Sequence, residues 1–293
     1  MRAFSGLWSC VRHTAGLTYA MKGAKRISLY SVHCAAALCV PVSGMSLQSN
    51  NPITPIISVV VPAYNEAENV GSLAAEIHAA LGDMPYEMIF VDDCSTDETR
   101  AALQGLKASY PALRVLSHRA NAGQSRGVRT GVMAARAPII ATLDSDGQND
   151  PADIPALYKQ LTRTAAPQNL AMIGGRRAKR QDSEAKKIAS KIGNGVRKKL
   201  LKDQADDTGC GLKVFSRDAF LHLPFFDHMH RYIPALMLRE GYGIEFCDVN
   251  HRPREFGESK YTNFGRLRVS IADLRGVMWL NRRLKNPQGW DEL

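Results

Sequence analysis

An α/β fold, with a mostly parallel sheet covered by helices on both faces, is what this sequence predicts, and three observations predict it. Apolar, β-branched runs recur along the chain, stretches of helical periodicity separate them, and polar clusters close the runs rather than interrupt them. Strands that are apolar on both faces need cover on both faces, and helical crossovers between parallel strands supply it.

The first run is IISVVVPAY, Ile56 to Tyr64, followed by NVGSLAAEIHAAL, whose apolar residues return at three and four. YEMIFVDD is the second strand and DETRAALQGLKASY the second helix. LRVLSH and GQSRGVRTGVMAAR repeat the scheme, and PIIATLD is a fourth strand. A later strand ends in Arg176 and Arg177, and another precedes His251. Ligands of such sheets bind outside the carboxyl ends of the strands, so those ends are where a site is expected.

The chain has 293 residues, 45% hydrophobic and 23% charged, enough for a real core in one large domain or two small ones. Its net charge of +10 favours anionic partners: nucleic acid, phosphorylated substrates or a membrane surface. Half of that excess lies in residues 1–44, which hold Arg2, Arg12, Lys22, Lys25 and Arg26 and no acidic residue. Met45 is therefore expected to begin the domain, with residues 1–44 a poorly ordered upstream extension. A targeting segment is the alternative, because the moderately apolar stretch from Ile27 to Leu47 follows Lys25 and Arg26. The expected division is an extension over 1–44, a single domain over 45–263, and a basic amphipathic helix with its tail over 264–293. Cys10, Cys34 and Cys39 lie in the extension, while Cys94, Cys210 and Cys247 are far apart, so neither a CxxC zinc site nor a disulfide framework is in view.

Three strand ends carry polar clusters: PAYNEAEN, VDDCSTDET and LDSDGQNDP. In the last, Asp144, Asp146, Gln148 and Asp150 place an oxygen ligand at every second residue around Gly147. Carboxylates so closely spaced repel one another unless a cation or solvent compensates. Singly, each cluster reads as a cap or turn, since Asn65, Ser95 and Asp97 are N-cap types and Gly147 a turn former. Their convergence on one sheet edge argues for a site, with a metal site and a polar turn both open for the third cluster.

Seven blocks in order, VVVPAYNEAENV, VDDCSTDET, NAGQSRGVRTG, LDSDGQNDP, DTGCGLK, MHRYIPAL and HRPREFGESKY, resemble the family 2 glycosyltransferases, and among them the dolichol-phosphate or polyprenyl-phosphate mannosyltransferases. The similarity runs from Ile56 to Arg283. It implies a GT-A fold in one catalytic domain, a nucleotide-sugar donor, a Mg2+ or Mn2+ ion and inversion at the anomeric carbon. Carried over residue by residue, it lays Pro62, Tyr64 and Glu66 against the base and ribose, has Asp93 accept a hydrogen bond from the base, and matches Gly123 and Arg126 to the segment closing over the nucleotide. Asp144, Asp146 and Gln148 become the metal ligands. Arg176, with Arg177 and Ser190, falls on the acceptor-phosphate site, which Arg252 and Lys260, with His251, Arg254 and Ser259, complete.

The acceptor decides the chemistry. A phosphate monoester is mostly dianionic at neutral pH and needs no base, whereas a sugar hydroxyl does. What it needs is cations to hold it beside the donor diphosphate. Between Ile173 and Lys202 the chain places 11 Lys or Arg against Asp182 and Glu184, although for the lysines a solvated helix face competes. Asp207 stands where hydroxyl-using relatives place a base; for a phosphate acceptor it is expected to organise the loop beside the diphosphate. Asp146, Asp207, Arg176, Arg252 and Lys260 are thus the candidate catalytic residues. Gly209 and Gly211 read as tight-turn glycines, and His228 and His230 as turn and core residues. GCGLKV lacks the last glycine of a dinucleotide fingerprint, which argues against an oxidoreductase.

Between Phe264 and Leu284, Leu267, Ile271, Leu274 and Met278 recur at helical spacing among arginines. This suits a basic helix at an anionic membrane surface and equally a core-packed helix. No run of 18 apolar residues follows, so membrane contact is expected to be peripheral, at the cytoplasmic face, or supplied by a partner. The function expected is transfer of a hexose, mannose from GDP-mannose ahead of a UDP-hexose, to dolichyl or undecaprenyl phosphate, with no nucleic-acid partner. A hydroxyl acceptor in polysaccharide or glycolipid synthesis, and a non-catalytic nucleotide-sugar-binding subunit, are the alternatives.

Overall fold

A computed structural model describes residues 54–82, 84–177, 195, 197–201, 203, 207, 209–253, 263–285 and 292, together with 12–13 and 16–17. The chain divides into two units, Met1–Asn51 and Pro52–Leu293. In the first, Arg12–His13 pairs antiparallel with Gly16–Leu17. The expectation of a poorly ordered extension over 1–44 otherwise lies outside the described residues.

The second unit alternates strands and helices as the periodicity predicts. Its elements are β1 (Ile57–Ala63), α1 (Val70–Leu81), β2 (Tyr86–Asp92), α2 (Thr99–Leu106), β3 (Leu113–Ser117), α3 (Gln124–Ala134), β4 (Ile139–Thr142), α4 (Ile154–Leu161), β5 (Leu170–Arg177), β6 (Lys213–Ser216), α5 (Arg217–His222), α6 (Ile233–Arg239), β7 (Gly243–Val249) and α7 (Asn263–Arg282). The seven strands form one sheet in the order β3-β2-β1-β4-β6-β5-β7. β1 pairs parallel with β2 and β4, β2 with β3, and β5 with β7. β6 alone runs against its neighbours, β4 and β5. The carboxyl ends of β1, β2, β4, β5 and β7 therefore share one edge with the amino end of β6.

Alternation of side chains makes two cores from one sheet. Val59, Val61, Met88 and Phe90 pack with Leu73 and Ile77 of α1, Leu103 of α2 and Leu157 of α4. Val60, Ile89 and Val91 pack with Val128 and Val132 of α3, Phe220 of α5, Leu236 of α6 and Val277 of α7 on the other face. Helix α3 lies unusually close to β1, because Gly127 and Gly131 present no Cβ to it; one built at Gly127 would stand 2.9 Å from Pro62 Cβ. At the amino edge, burial would raise the Glu87 carboxyl, but hydrogen bonds from the Arg136 amide, Ser58 and Arg114 hold it below its ordinary value.

Candidate active site

The first two strand ends are joined into one platform. The Asn65 amide donates to Ser95 Oγ at 3.0 Å, and Thr96 N donates to Asn65 Oδ1 at 2.8 Å. Asp97 accepts from the amides of Ala67 and Thr99, so it caps the start of α2 and ties it to the β1 loop. Tyr64 is half-buried on this platform, and Glu66 receives the Asn69 side-chain amide at 2.6 Å. Pro62 is buried at the end of β1 beneath Gly127, where it seats α3.

Asp93 sits at the tip of β2 with 3% of its surface exposed. Its carboxylate accepts from the amides of Ala122 (2.9 Å) and Gly123 (2.8 Å), and His118 Nδ1 lies 2.6 Å away. It therefore shapes the turn into α3, at whose N-cap Gly123 adopts φ 83, a conformation that favours glycine. Arg126, one turn on, lays its guanidinium 3.8 Å over the Phe225 ring. The neighbouring Asp92 is fully buried; burial alone would raise it, but hydrogen bonds from Ser95, Arg100 and Ser117 hold it below the usual carboxylate range.

The third strand end carries the acidic loop. Gly147 turns it at φ 71, Asp146 Oδ1 accepts from Gln148 N at 3.2 Å, and Asp150 accepts from Ala152 N at 3.0 Å. Gln124 Nε2, from the first turn of α3, donates to Asp144 Oδ1 at 2.7 Å. Removal from solvent and the charge of Asp146 push the Asp144 carboxyl up to about 6, against the opposing charges of Lys213 and Arg177. A pair of carboxylates that repel in this way fits a hard divalent cation whose remaining ligands are phosphate oxygens and water. Among the described residues no group of three or more His, Cys, Asp or Glu could hold a metal by protein ligands alone. Gln148 is held in this loop through its backbone, its carbonyl accepting from Arg252 N at 2.9 Å.

The expected cations are distributed differently from the expectation. Adjacent residues of a strand face opposite ways, so Arg176 and Arg177 part company at the end of β5. Arg176 is exposed and donates from Nε to Asp248 at 2.6 Å. Arg177 turns toward the acidic loop and grips Asp207 through Nε at 2.6 Å and Nη2 at 2.7 Å. Arg252 meets Glu76 of α1 at 2.8 Å and Asp150 at 2.8 Å, so both arms of its guanidinium already hold carboxylates. In this arrangement it anchors the acidic loop to α1. Lys260, Ser259, Arg254 and Ser190 lie outside the described residues.

Three residues of the site were not singled out from the sequence. Lys213 is buried at the amino end of β6 and donates to the Cys210 carbonyl. Asn149, 5% exposed, accepts from Leu212 N at 3.1 Å and so joins the acidic loop to the Cys210–Leu212 segment. Gln124 touches Asp144 as described; all three are signalled only by lying inside the quoted blocks. Gly209 lies in a turn, and neither it nor Gly211 has a positive φ; a Cβ at Gly211 would overlap the Asp144 carboxylate, and one at Gly209 would stand 2.9 Å from Arg177 Nη2. His228 is a turn residue at φ 63, and His230 hydrogen-bonds Ser125 Oγ at 2.8 Å.

Residues 58–223 match the model of glycosyl transferase family 2. The chain is 35% identical over 245 residues to a dodecaprenyl-phosphate galacturonate synthase of Rhizobium johnstonii, covering 82% of this chain and 71% of that protein. It is 34% identical over 209 residues to an undecaprenyl-phosphate 4-deoxy-4-formamido-L-arabinose transferase of Photorhabdus laumondii, covering 70% of this chain and 63% of that protein. Among solved structures, glucosyl-3-phosphoglycerate synthase of Mycobacterium tuberculosis with Mn2+ and UDP superposes with a TM-score of 0.59 at 18% identity, over 80% of this chain and 82% of that one. A mannosyltransferase of Pyrobaculum calidifontis with GDP-Man and Mn2+ gives 0.55 at 20% identity, over 80% and 66%. At such identities these two bear on the fold alone, and they agree with a GT-A sheet. With a family model spanning more than half of its length and relatives above 30% identity, this chain belongs to glycosyl transferase family 2.

Proposed function

We propose that this chain transfers a sugar from a nucleotide-sugar donor to a polyprenyl phosphate, with inversion at the anomeric carbon. The observation that carries this reading is the engagement of Asp207. Arg177 closes on both of its oxygens, so the carboxylate at the position of a hydroxyl-activating base is neutralised by a guanidinium. An acceptor that brings its own dianion has no use for such a base. The two relatives named above, both polyprenyl-phosphate enzymes, support the same acceptor class.

The donor reading changes. Mannose from GDP-mannose finds no support in those relatives, whose names give galacturonate and 4-deoxy-4-formamido-L-arabinose. We read the donor as a nucleotide-linked uronic or amino-modified sugar. In the mechanism Asp93 holds the Ala122–Gly123 turn that closes on the nucleotide, with Tyr64 and Glu66 beside it. Asp144 and Asp146 would hold Mg2+ or Mn2+, which when bound neutralises the leaving diphosphate. Gln124 orients Asp144, and Lys213, beside the neutralised Arg177–Asp207 pair, supplies the fixed positive charge that steadies the charge developing there. Arg176, exposed at the end of β5, together with Lys260, is the cation proposed for the acceptor phosphate. Among the described residues no helix is long and apolar enough to cross a membrane, and contact with the cytoplasmic face is proposed as peripheral.

A screen of labelled nucleotide sugars against a short polyprenyl phosphate, with and without chelator, tests the reading. Metal-dependent, inverting transfer to the phosphate is the expected result. Transfer only to a sugar hydroxyl, lost in Asp207→Asn with Arg177→Met unaffected, would establish the hydroxyl-acceptor alternative.

A further inference from the structure

Helix α7 has two faces with different occupants. Inward, Leu274, Val277 and Met278 pack onto the core shared with α3, α5 and α6. Three further ties fix its rotation: Tyr232 Oη donates to the Ser270 carbonyl at 3.2 Å, Arg239 Nε to the Leu280 carbonyl at 3.3 Å, and His228 Nδ1 lies 3.4 Å from Asp273 Oδ2. Outward stand Ile271, 45% exposed, and Trp279, 58% exposed, with Arg275, Arg282 and Arg283 exposed beside them. At 3.6 residues per turn these five fall within an arc of roughly 120°. The Arg283 guanidinium lies 5.7 Å over the Trp279 ring. Asp273 is the only acidic residue between 270 and 285, and it faces inward with 16% of its side chain exposed.

From this stripe we infer that the outer face of α7 docks on an anionic lipid surface. The inference deepens the proposed function, on whose lipid-linked acceptor it rests. A tryptophan and an isoleucine two turns apart, on a helix already fixed by its opposite face, stand exposed with no packing role among the described residues. The arginines around them, with no exposed acid among the described residues of the helix, decide the partner: headgroup phosphates attract them while the two apolar side chains enter the acyl boundary. A second copy of this chain across a two-fold axis would set arginine against arginine and is disfavoured. Docking here also orients the site. The middle of α7, at Asp273, is tied to His228, next to Asp227, whose carboxylate would lie 3.4 Å from a Cβ at Gly123 of the nucleotide turn.

The test uses the full chain in sedimentation with vesicles of phosphatidylcholine, alone or mixed equally with phosphatidylglycerol. Binding to the mixed vesicles, weakening as salt is raised, is expected. Arg275→Gln and Arg283→Gln should each weaken it roughly fivefold, and Trp279→Ser and Ile271→Ser roughly tenfold. Because all four side chains are exposed, melting temperature and turnover on a detergent-dispersed polyprenyl phosphate should not change. Undiminished vesicle binding in these variants would overturn the inference by assigning binding to another basic segment. A dimer that Trp279→Ser dissociates, without vesicle binding, would also overturn it and give the face to a second copy. Turnover without vesicle binding sinks this inference and leaves the proposed function standing; vesicle binding without turnover does the reverse.

Discussion

Gly211→Ala places a single methyl group against the most exposed weakness of the site. The Cβ would overlap Oδ2 and Cγ of Asp144 and stand 2.8 Å from Oδ1. To restore ordinary contact the carboxylate must move by about 1 Å, which also breaks its hydrogen bond from Gln124. A displacement of about 1 Å in a catalytic constellation costs on the order of a hundredfold in rate. The fold should lose on the order of 1–2 kcal/mol, far less than would unfold it. Gly211 has no positive φ to relieve, and the stiffer unfolded chain contributes about 0.4–1 kcal/mol in favour of the variant, against about 1.5–3 kcal/mol for the lost charged hydrogen bond. Calorimetric titration of Mn2+ in the presence of a nucleoside diphosphate should show the loss of affinity, and steady-state kinetics the loss of turnover. Gly105→Ala, in α2 with open space around its Cβ position, is the control. Metal affinity and kcat within threefold of the parent would refute the reasoning, since they would mean that the Asp144 carboxylate has no required position.

Four further outcomes are expected. Asp207→Asn and Arg177→Met should each cost about 3–5 kcal/mol in chemical denaturation, because each strands a buried partner, and they should lower turnover together; a loss of rate confined to Asp207→Asn would restore the general-base role. Burial, with the charges of Arg231, Lys213 and His228, holds the His230 imidazole well below 6.5, so the unfolded chain takes up a proton that the fold refuses as the pH falls below that value. His230→Gln should therefore flatten the acid side of the stability profile by up to about 1.4 kcal/mol per pH unit, and an unchanged slope would contradict it. Metal-free protein should show the opposite sign for Asp144: its carboxyl, raised to about 6, gains stability as the pH drops through that value, so Asp144→Asn should stabilise the apoprotein more at pH 7 than at pH 5, by about 1 kcal/mol. Equal effects at both values in thermal melts would refute the shift. Cys94 holds φ 60 without being glycine, and Cys94→Gly should stabilise by about 0.5–1 kcal/mol, read in the same denaturation assay.

Much of this protein was written in short-range pattern. The β-branched runs of IISVVVPA and YEMIFVD become fully paired central strands because their alternation leaves no polar face to expose. The acidic loop and the platform of the first two strand ends fall on the expected edge because β1, β2 and β4, which carry them, run parallel. What the local pattern could not carry were facings and partners. The sequence shows two adjacent arginines at the end of β5 but not which of them couples to Asp144; strand pairing chose Arg177 and turned Arg176 to Asp248. Arg252 reads as a free cation in HRPRE, yet its partner Glu76 is 176 positions away. Gly211 reads as a turn former until Asp144 is seen to occupy the place of its Cβ.

Residue types and their periods of 2 and 3.6 thus determined the elements, the binding edge and the identity of the acidic loop, since each depends on neighbours within a few positions. Only the folded sheet decided which charges neutralise one another. Inserting β6 antiparallel between β4 and β5 brings Lys213, Gly211 and Asp207 against a loop more than sixty residues earlier, and Coulomb and contact energies depend on distance in space, to which separation along the chain is no guide.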